Sequence, residues 1–469
     1  MRSLLALVLL IAACNQGSTG VRSEPARTHT PTPTVAPESA KVPAGSSAEE
    51  GEPSRVLFTN VHVFDGTSDQ LERNTNVLVE GNLIKAIGQH FAPPDDATAV
   101  DAGGRVMTPG FIAMHEHLMQ QMSAPELLTN DTRYIAYRAT QTVRTYLMNG
   151  YTTVRDVAGN TFSLKKAIDQ GHVVGPRIYP SGPMISQTSG HSDHRFASMK
   201  SKLVGGIDDP MVRYGDMMIV DGVPEMLKGV RENLRQGASQ IKIAVGGGTG
   251  SYADPLEVVE FTPEEIRAAT QAASDFGTYV LAHVYNNEGI RRAIENGVKS
   301  IEHANLVDES TLRYMKDNGV WLSPQVSVYT FIPHGYTEDQ ARKHRQAYAG
   351  LDTLFTLCNK IGFTKIVFGS DIITDPEMIR RMNEEFTHRA KWFTPVEVLR
   401  QATSNGGTLL AMSGLMNPYP RKLGVIEEGA YADLLLVDGN PLEDLTVLEN
   451  PEENLVLIMK DGTIYKNDL

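Results

Sequence analysis

The chain has 469 residues, enough for a barrel of roughly 250 residues and a second module. Hydrophobic residues make up 41% and charged ones 21%, which excludes a disordered or fibrous chain. Acidic residues outnumber basic ones by 56 to 43, for a net charge of -13, and with no dense Lys/Arg cluster nucleic acid is excluded as a partner, while the 2 cysteines, Cys14 and Cys358, cannot build a disulfide framework.

At the start of the chain Arg2 precedes an apolar run from Leu4 to Ile11, and the small residues Ala12-Ala13 precede Cys14. That run is too short to remain in a bilayer as a spanning helix. Ile11-Ala12-Ala13-Cys14 resembles the lipobox of bacterial lipoproteins. The resemblance implies a signal peptide over 1–13, cleavage before Cys14 and a diacylglycerol on its sulfur, so that an exported protein meets the membrane through an N-terminal lipid anchor. A plain secretory signal is the other reading of the same residues. Asn15 stands where an Asp would imply inner-membrane retention, which points to the periplasmic face of the outer membrane. Residues 14–53 are rich in Ser, Thr, Pro, Ala and Glu, including Pro31-Thr32-Pro33-Thr34, and read as a flexible linker.

Short β-branched runs follow, Val56-Leu57-Phe58 and Thr75-Asn76-Val77-Leu78-Val79, with turns at Asp65-Gly66 and Gly81-Asn82. The far end reads alike, with Leu434-Leu435-Leu436-Val437, Leu455 to Met459 and an Asp461-Gly462 turn. Chain ends often meet in space, so 54–107 and 420–469 are expected to form one small β-sandwich. Between them, 108–419 alternates apolar strands with amphipathic helices, the pattern of βα units around a parallel sheet. Eight strands can be placed: Phe111 to His115, Thr152 to Asp156, Arg177 to Ser181, Ile241 to Val245, Tyr279 to His283, Ser300 to His303, Val320 to Ser323 and Ile366 to Ser370. Helices separate them, such as Pro263 to Phe276 with Thr262 as cap, and Asn286 to Asn296 closed by Gly297. The α/β pattern favours a (β/α)8 TIM barrel over an open doubly wound sheet, because polar strand ends recur around the whole series and no Gly-x-Gly-x-x-Gly turn is present.

Five of these strands carry a residue able to bind metal at or near their ends, and in a barrel all strand C-termini face one mouth. The residues are His115 and His117, Lys242, His283, His303 and Asp371. His115 and His117 lie two apart and point to the same side of an extended backbone, where they can chelate one ion. In Ile241-Lys242-Ile243-Ala244-Val245 the branched residues share one face, which turns Lys242 into the lumen. Such a lysine is either paired with a carboxylate or, beside metals, loses its proton and reacts with carbon dioxide to give a carbamate that bridges two cations. Asp371 is either a metal ligand that also accepts a proton from water and passes it to a leaving amine, or a strand-end cap.

At these residues the chain resembles the amidohydrolase superfamily, in its imidazolonepropionase-like and prolidase-like branch. The segments that carry the likeness are Pro109 to Leu118, with Ala113 where an Asp is common, Ile241-Lys242-Ile243, Ala282-His283, Ile301-Glu302-His303, Gly369-Ser370-Asp371, Lys422-Leu423-Gly424 and Gly429 to Leu434. The resemblance implies that His115, His117 and Asp371 hold a buried divalent ion, that His283 and His303 hold a more exposed one, and that carbamylated Lys242 bridges them. Zinc suits this donor set. A hydroxide shared by the ions would attack the carbonyl carbon of an amide.

Specificity is expected in three long mouth loops, 183–221, 246–261 and 326–348. The first contains Gly190-His191-Ser192-Asp193, where dipeptide-cleaving relatives often read Gly-His-Gly-Asp, and His191 is the expected substrate contact. Glu260-Phe261-Thr262 replaces the relatives' Gln-Tyr-Ser, which points away from a strict prolidase. Arg195, Tyr252, His334 and Arg342 are further candidates for a substrate carboxylate, with solvated loop residues as the other reading of each. The expected reaction is hydrolysis of a small-molecule amide, a dipeptide or an N-acyl amino acid. The alternatives are a cyclic amidohydrolase, a deaminase, or a lipid-anchored metal- or ligand-binding protein without activity.

Overall fold

The computed structural model describes residues 54–91 and 94–469. The expected signal peptide, Cys14 and the linker lie outside the described residues. Among the described residues no helix is long and apolar enough to cross a membrane, and Cys358 is a buried free thiol.

The parallel strands of the middle region form two sheets. One joins Phe111–Glu116, Tyr151–Asp156 and Arg177–Pro180. The other runs Met217–Ile219, Met184–Ser186, Ile241–Ala244, Val280–Val284, Ser300–His303 and Trp321–Ser323. Two expectations need correction. The third strand ends at Pro180 and the chain resumes as Met184–Ser186, which pairs with Ile243 of the following strand. The break is chemical in origin: Pro180 and Pro183 lack an N–H for the ladder, and Gly182 sits at φ +72°. The eighth segment, expected over Ile366 to Ser370, is no regular strand and makes a single bridge, Leu322 to Ile366. It is tied on both sides by backbone hydrogen bonds, from Val367 N to Leu322 O at 3.0 Å and from Met114 N to Phe368 O at 2.7 Å. The eight segments therefore follow one another in space, but as two sheets rather than one regular eight-stranded sheet.

Helices alternate with these strands as expected. Pro263–Asp275 begins with a capping box in which Thr262 and Glu265 satisfy each other's backbone N–H groups, and Asn286 caps Asn287–Glu295 through Gly289 N.

The two ends of the chain do meet, in one continuous eight-stranded sheet rather than two separate sheets. Its order is Thr463–Asn467, Leu455–Lys460, Leu434–Val437, Val106–Pro109, Arg55–Val63, Glu72–Glu80 and Leu83–Gly88, with Thr98–Asp101 also on Arg55–Val63. Leu434 and Leu436 join Phe58, Val77, Met107 and Leu457 in the sheet's own core, whereas Leu435 and Val437 belong to the large core of the α/β region. A strand buried on both faces needs no polar alternation, which is why it reads as an unbroken apolar run.

Arg177 ties the two regions together at the entrance of its strand. It donates to Asp433 at 3.2 Å and Asp461 at 2.7 Å and lies 4.1 Å from the centroid of the Tyr431 ring. Removing one partner of a buried pair leaves the other charge desolvated and unmatched. Arg177→Ala is therefore expected to cost about 3 kcal/mol of unfolding free energy in a urea titration, and a loss well below 1 kcal/mol would show that the sheet docks without this pair.

Candidate functional site

The sequence-predicted side chains converge where the parallel strands end. Nε2 of His117 lies 3.1 Å from Asp371 Oδ1, and Nε2 of His115 lies 3.6 Å from the same oxygen. Nδ1 of His303 is 3.9 Å from Asp371 Oδ2. One ligand atom each from His115, His303 and Asp371 fall within 4.8 Å of one another. The imidazoles form a continuous row: ring centroids are 5.5 Å apart for His117 and His115, 4.8 Å for His115 and His303, 4.5 Å for His303 and His283, and 3.9 Å for His283 and His191. Lys242 is buried on the neighbouring strand, where Ala244 pairs with His283.

Burial sets the protonation states. It pushes His115 down to about 4, helped by Lys242 and opposed by Asp371 and Glu302, and it holds His283 and His303 well below the ordinary histidine range. Neutral imidazoles keep the lone pair that a metal ion needs. Burial also lowers Lys242 to about 8, against the pull of Glu302 and Asp371, so a free amine is within reach at neutral pH. For Asp371 burial acts upward, but His115, His117 and His303 together draw the carboxyl below its usual range and keep it ionised.

Groups that the sequence reading passed over orient these ligands. Nδ1 of His115 sits 2.7 Å from Glu302 Oε2, and Arg155 donates to both Glu302 oxygens at 2.8 and 2.9 Å and to Met114 O at 2.6 Å. Burial alone would raise Glu302, but Arg155 and His115 bring it below the carboxylate range. An ionised acceptor fixes the His115 proton on Nδ1 and leaves Nε2 facing Asp371. Nδ1 of His303 likewise lies 2.8 Å from Gln325 Oε1, while Gln325 Nε2 donates to Ser323 O at 2.6 Å. One available signal was a charged residue inside a fully buried parallel strand, Arg155 in Tyr151–Asp156 and Glu302 in Ser300–His303. Gln325 lies in a loop and gives no such signal.

The donor set of imidazoles, a carboxylate and a depressed amine fits divalent metal, and His117 keeps Nδ1 buried without a hydrogen-bond partner. His303 and Asp371 are also two of the few non-glycine residues with left-handed backbone, φ +75° and +52°. Such strain persists where surrounding contacts over-determine the geometry.

His191 stacks on His283 with an interplanar angle of 10°. Its Nδ1 is 3.0 Å from Ser251 Oγ and 3.4 Å from Asp254 Oδ2, and its backbone N–H donates to Glu260 Oε1 at 2.8 Å. Glu260, noted in the sequence only as a departure, thus anchors the His191 loop. Asp193 holds Arg195 through two hydrogen bonds, at 2.7 and 2.5 Å, and Arg342 is exposed beside Asp339 at 2.8 Å. His334 and Tyr252 are exposed, and Tyr252 meets Phe196 with ring centroids 5.4 Å apart.

The sequence pattern of the amidohydrolase family matches residues 106–465. An ochratoxinase of Aspergillus niger is 32% identical over 336 residues, covering 68% of this chain and 66% of the ochratoxinase, so the match spans just under two thirds of that relative. The crystal structure of a prolidase complexed with N-methylphosphonate-L-proline superposes with a TM-score of 0.81 at 32% identity, over 88% of this chain and 100% of that one. A Xaa-Pro dipeptidase with bound methionine in its active site gives 0.77 at 32% identity, over 88% and 100%. These likenesses imply a TIM barrel with a small second domain. The chain belongs to the amidohydrolase family.

Proposed function

We propose that this chain is a binuclear metal-dependent hydrolase that cuts the amide bond of a dipeptide or an N-acyl amino acid. The observation that carries the reading is the convergence of His115, His303 and Asp371 on one point, with His117 beside Asp371 and His283 beside His303. The prolidase and Xaa-Pro dipeptidase likenesses support a dipeptide-sized substrate.

His115, His117 and Asp371 would hold one ion, His283 and His303 the other, with Lys242 as a carbamate between them and zinc as the fitting metal. When bound, the ions supply a lowered pKa for water and polarise a carbonyl oxygen. Asp371, ionised and close to both His115 and His117, takes a proton and returns it to the departing amine. Glu302 and Arg155 keep His115 in the tautomer that presents Nε2. His191, braced by Ser251, Asp254 and Glu260, is the substrate contact nearest the ligands, and the Phe196–Tyr252 ring pair follows on the same two loops.

Two substitutions test the machinery. Lys242→Ala is expected to bring metal content, measured by plasma emission, from two ions per chain towards one; two ions with unchanged turnover would contradict the bridge. A screen of dipeptides and N-acyl amino acids with zinc-loaded protein should release free amino acid, whereas ring opening or ammonia release would move the assignment to a cyclic amidohydrolase or a deaminase. In the same screen Asp371→Asn should lose about a hundredfold or more in turnover, and a near-parental rate would remove Asp371 as proton carrier.

The lipobox-like leader supports a protein tethered to the periplasmic face of a bacterial membrane, the outer membrane by the identity of Asn15. Cys14→Ser should then abolish incorporation of labelled palmitate in a bacterial host. Label on that variant would refute the anchor.

A further inference from the structure

Glu116 ends the strand Phe111–Glu116, between His115 and His117 in sequence, and its carboxyl group turns to Ser370 and Tyr146. It is fully buried. A carboxyl group in such a place is costly unless its oxygens find donors, and three donors reach it. Ser370 N donates to Oε1 at 2.7 Å, and Ser370 Oγ and Tyr146 OH donate to Oε2 at 2.8 and 2.7 Å. Two of the three belong to the residue immediately before Asp371.

That segment needs an outside hold. It has a single strand bridge, at Ile366, and Asp371 turns off it at φ +52°. Its backbone ties to the first strand are Met114 N to Phe368 O and Asp371 N to His115 O at 3.1 Å. Between them, the Ser370 N–H goes to a side chain rather than to a ladder. We propose that Glu116 is a positioning residue for Asp371: from between two metal-ligating histidines it grips Ser370 by backbone and hydroxyl, and so sets the direction in which Asp371 meets His115 and His117. One buried side chain thus ties the first and the eighth segment into a single ligand frame. The inference rests on the ligand role given to Asp371 above.

The test is zinc affinity of the metal-free full chain, read by competition with a chromophoric chelator, together with the visible spectrum of the cobalt(II)-loaded protein. Glu116→Leu should weaken zinc binding about 10–100-fold and shift the cobalt bands, while Glu116→Gln, which still accepts from Ser370 N, should stay within about threefold of the parent. Ser370→Ala should weaken binding, and its effect should not add to that of Glu116→Leu, since the hydroxyl contact it removes is already lost in Glu116→Leu. Arg177→Ala, which weakens the fold at the opposite end of the strands, should leave zinc affinity unchanged. Parental affinity and spectrum in Glu116→Leu, or simple additivity with Ser370→Ala, would overturn the proposal; if Glu116→Leu does not fold, parental affinity in Ser370→Ala does so alone. These readouts need no substrate, so loss of zinc in the variants of a chain that cleaves no amide would sink the functional reading and leave the clamp standing. Parental zinc affinity in Asp371→Ala would sink both.

Discussion

Placing ionised groups where water is scarce is the constraint on which the rest of the structure depends. Lys242, Glu302 and Arg155 are buried on parallel strands and Asp371 just beyond the last segment, and an unpaired charge there costs roughly several kcal/mol. The chain answers with a connected set. Arg155 matches Glu302, Glu302 orients His115, and His115 with His117 faces Asp371. Neutral histidines and a depressed lysine follow from the same burial. Taking out Arg155 or Glu302 leaves the other's charge in a medium that cannot solvate it.

The candidate ligands were legible because polar residues recur on the strands of the series, most of them at a strand's C-terminal end. His115, His283, His303 and Asp371 close or follow their segments, whereas Lys242 sits inside Ile241–Ala244 between two isoleucines. Their partners were not legible. Arg155 and Glu302 are 147 positions apart, and His115 and Glu302 187. No local period encodes such a pairing, although a charge inside a buried strand marks that a partner must exist. The broken third strand was announced by Pro180, Gly182 and Pro183, and the expected strand, Arg177 to Ser181, runs one residue past the observed end at Pro180. In the flanking sheet both chain ends were recognised from β-branched runs and turn residues. That they share one continuous sheet depends on pairings such as Leu436 with Met107, which only tertiary structure supplies.

The mouth loops were expected to carry specificity, and their anchoring explains how loops can hold a site with precision. Lys343, buried on the helix Glu338–Ile361, donates to the carbonyls of Ser251 and Asp254 at 2.8 and 3.2 Å, and Gln340 donates to Gly250 O at 2.7 Å. Ser251 and Asp254 in turn brace His191. A helix thus grips one loop, that loop grips a second, and the second sets a ring against a metal-ligand candidate. Side-chain bonds to loop carbonyls replace the ladder that a strand would have provided.

Close approach of the last segment to the first strand also dictates residue size. A Cβ on Gly369 would lie 2.7 Å from His115 N, nearer than any side chain tolerates, so a glycine must precede Ser370 if Asp371 is to reach the histidines. The left-handed turn at Asp371, at a cost of about 1–3 kcal/mol, follows from that contact, because the chain must swing its carboxylate back over the strand end it has just touched. Strain at Asp371 is therefore the consequence of bringing an anion within 3.1 Å of His117, and the contacts around Glu116 and Glu302 are what make that position stable.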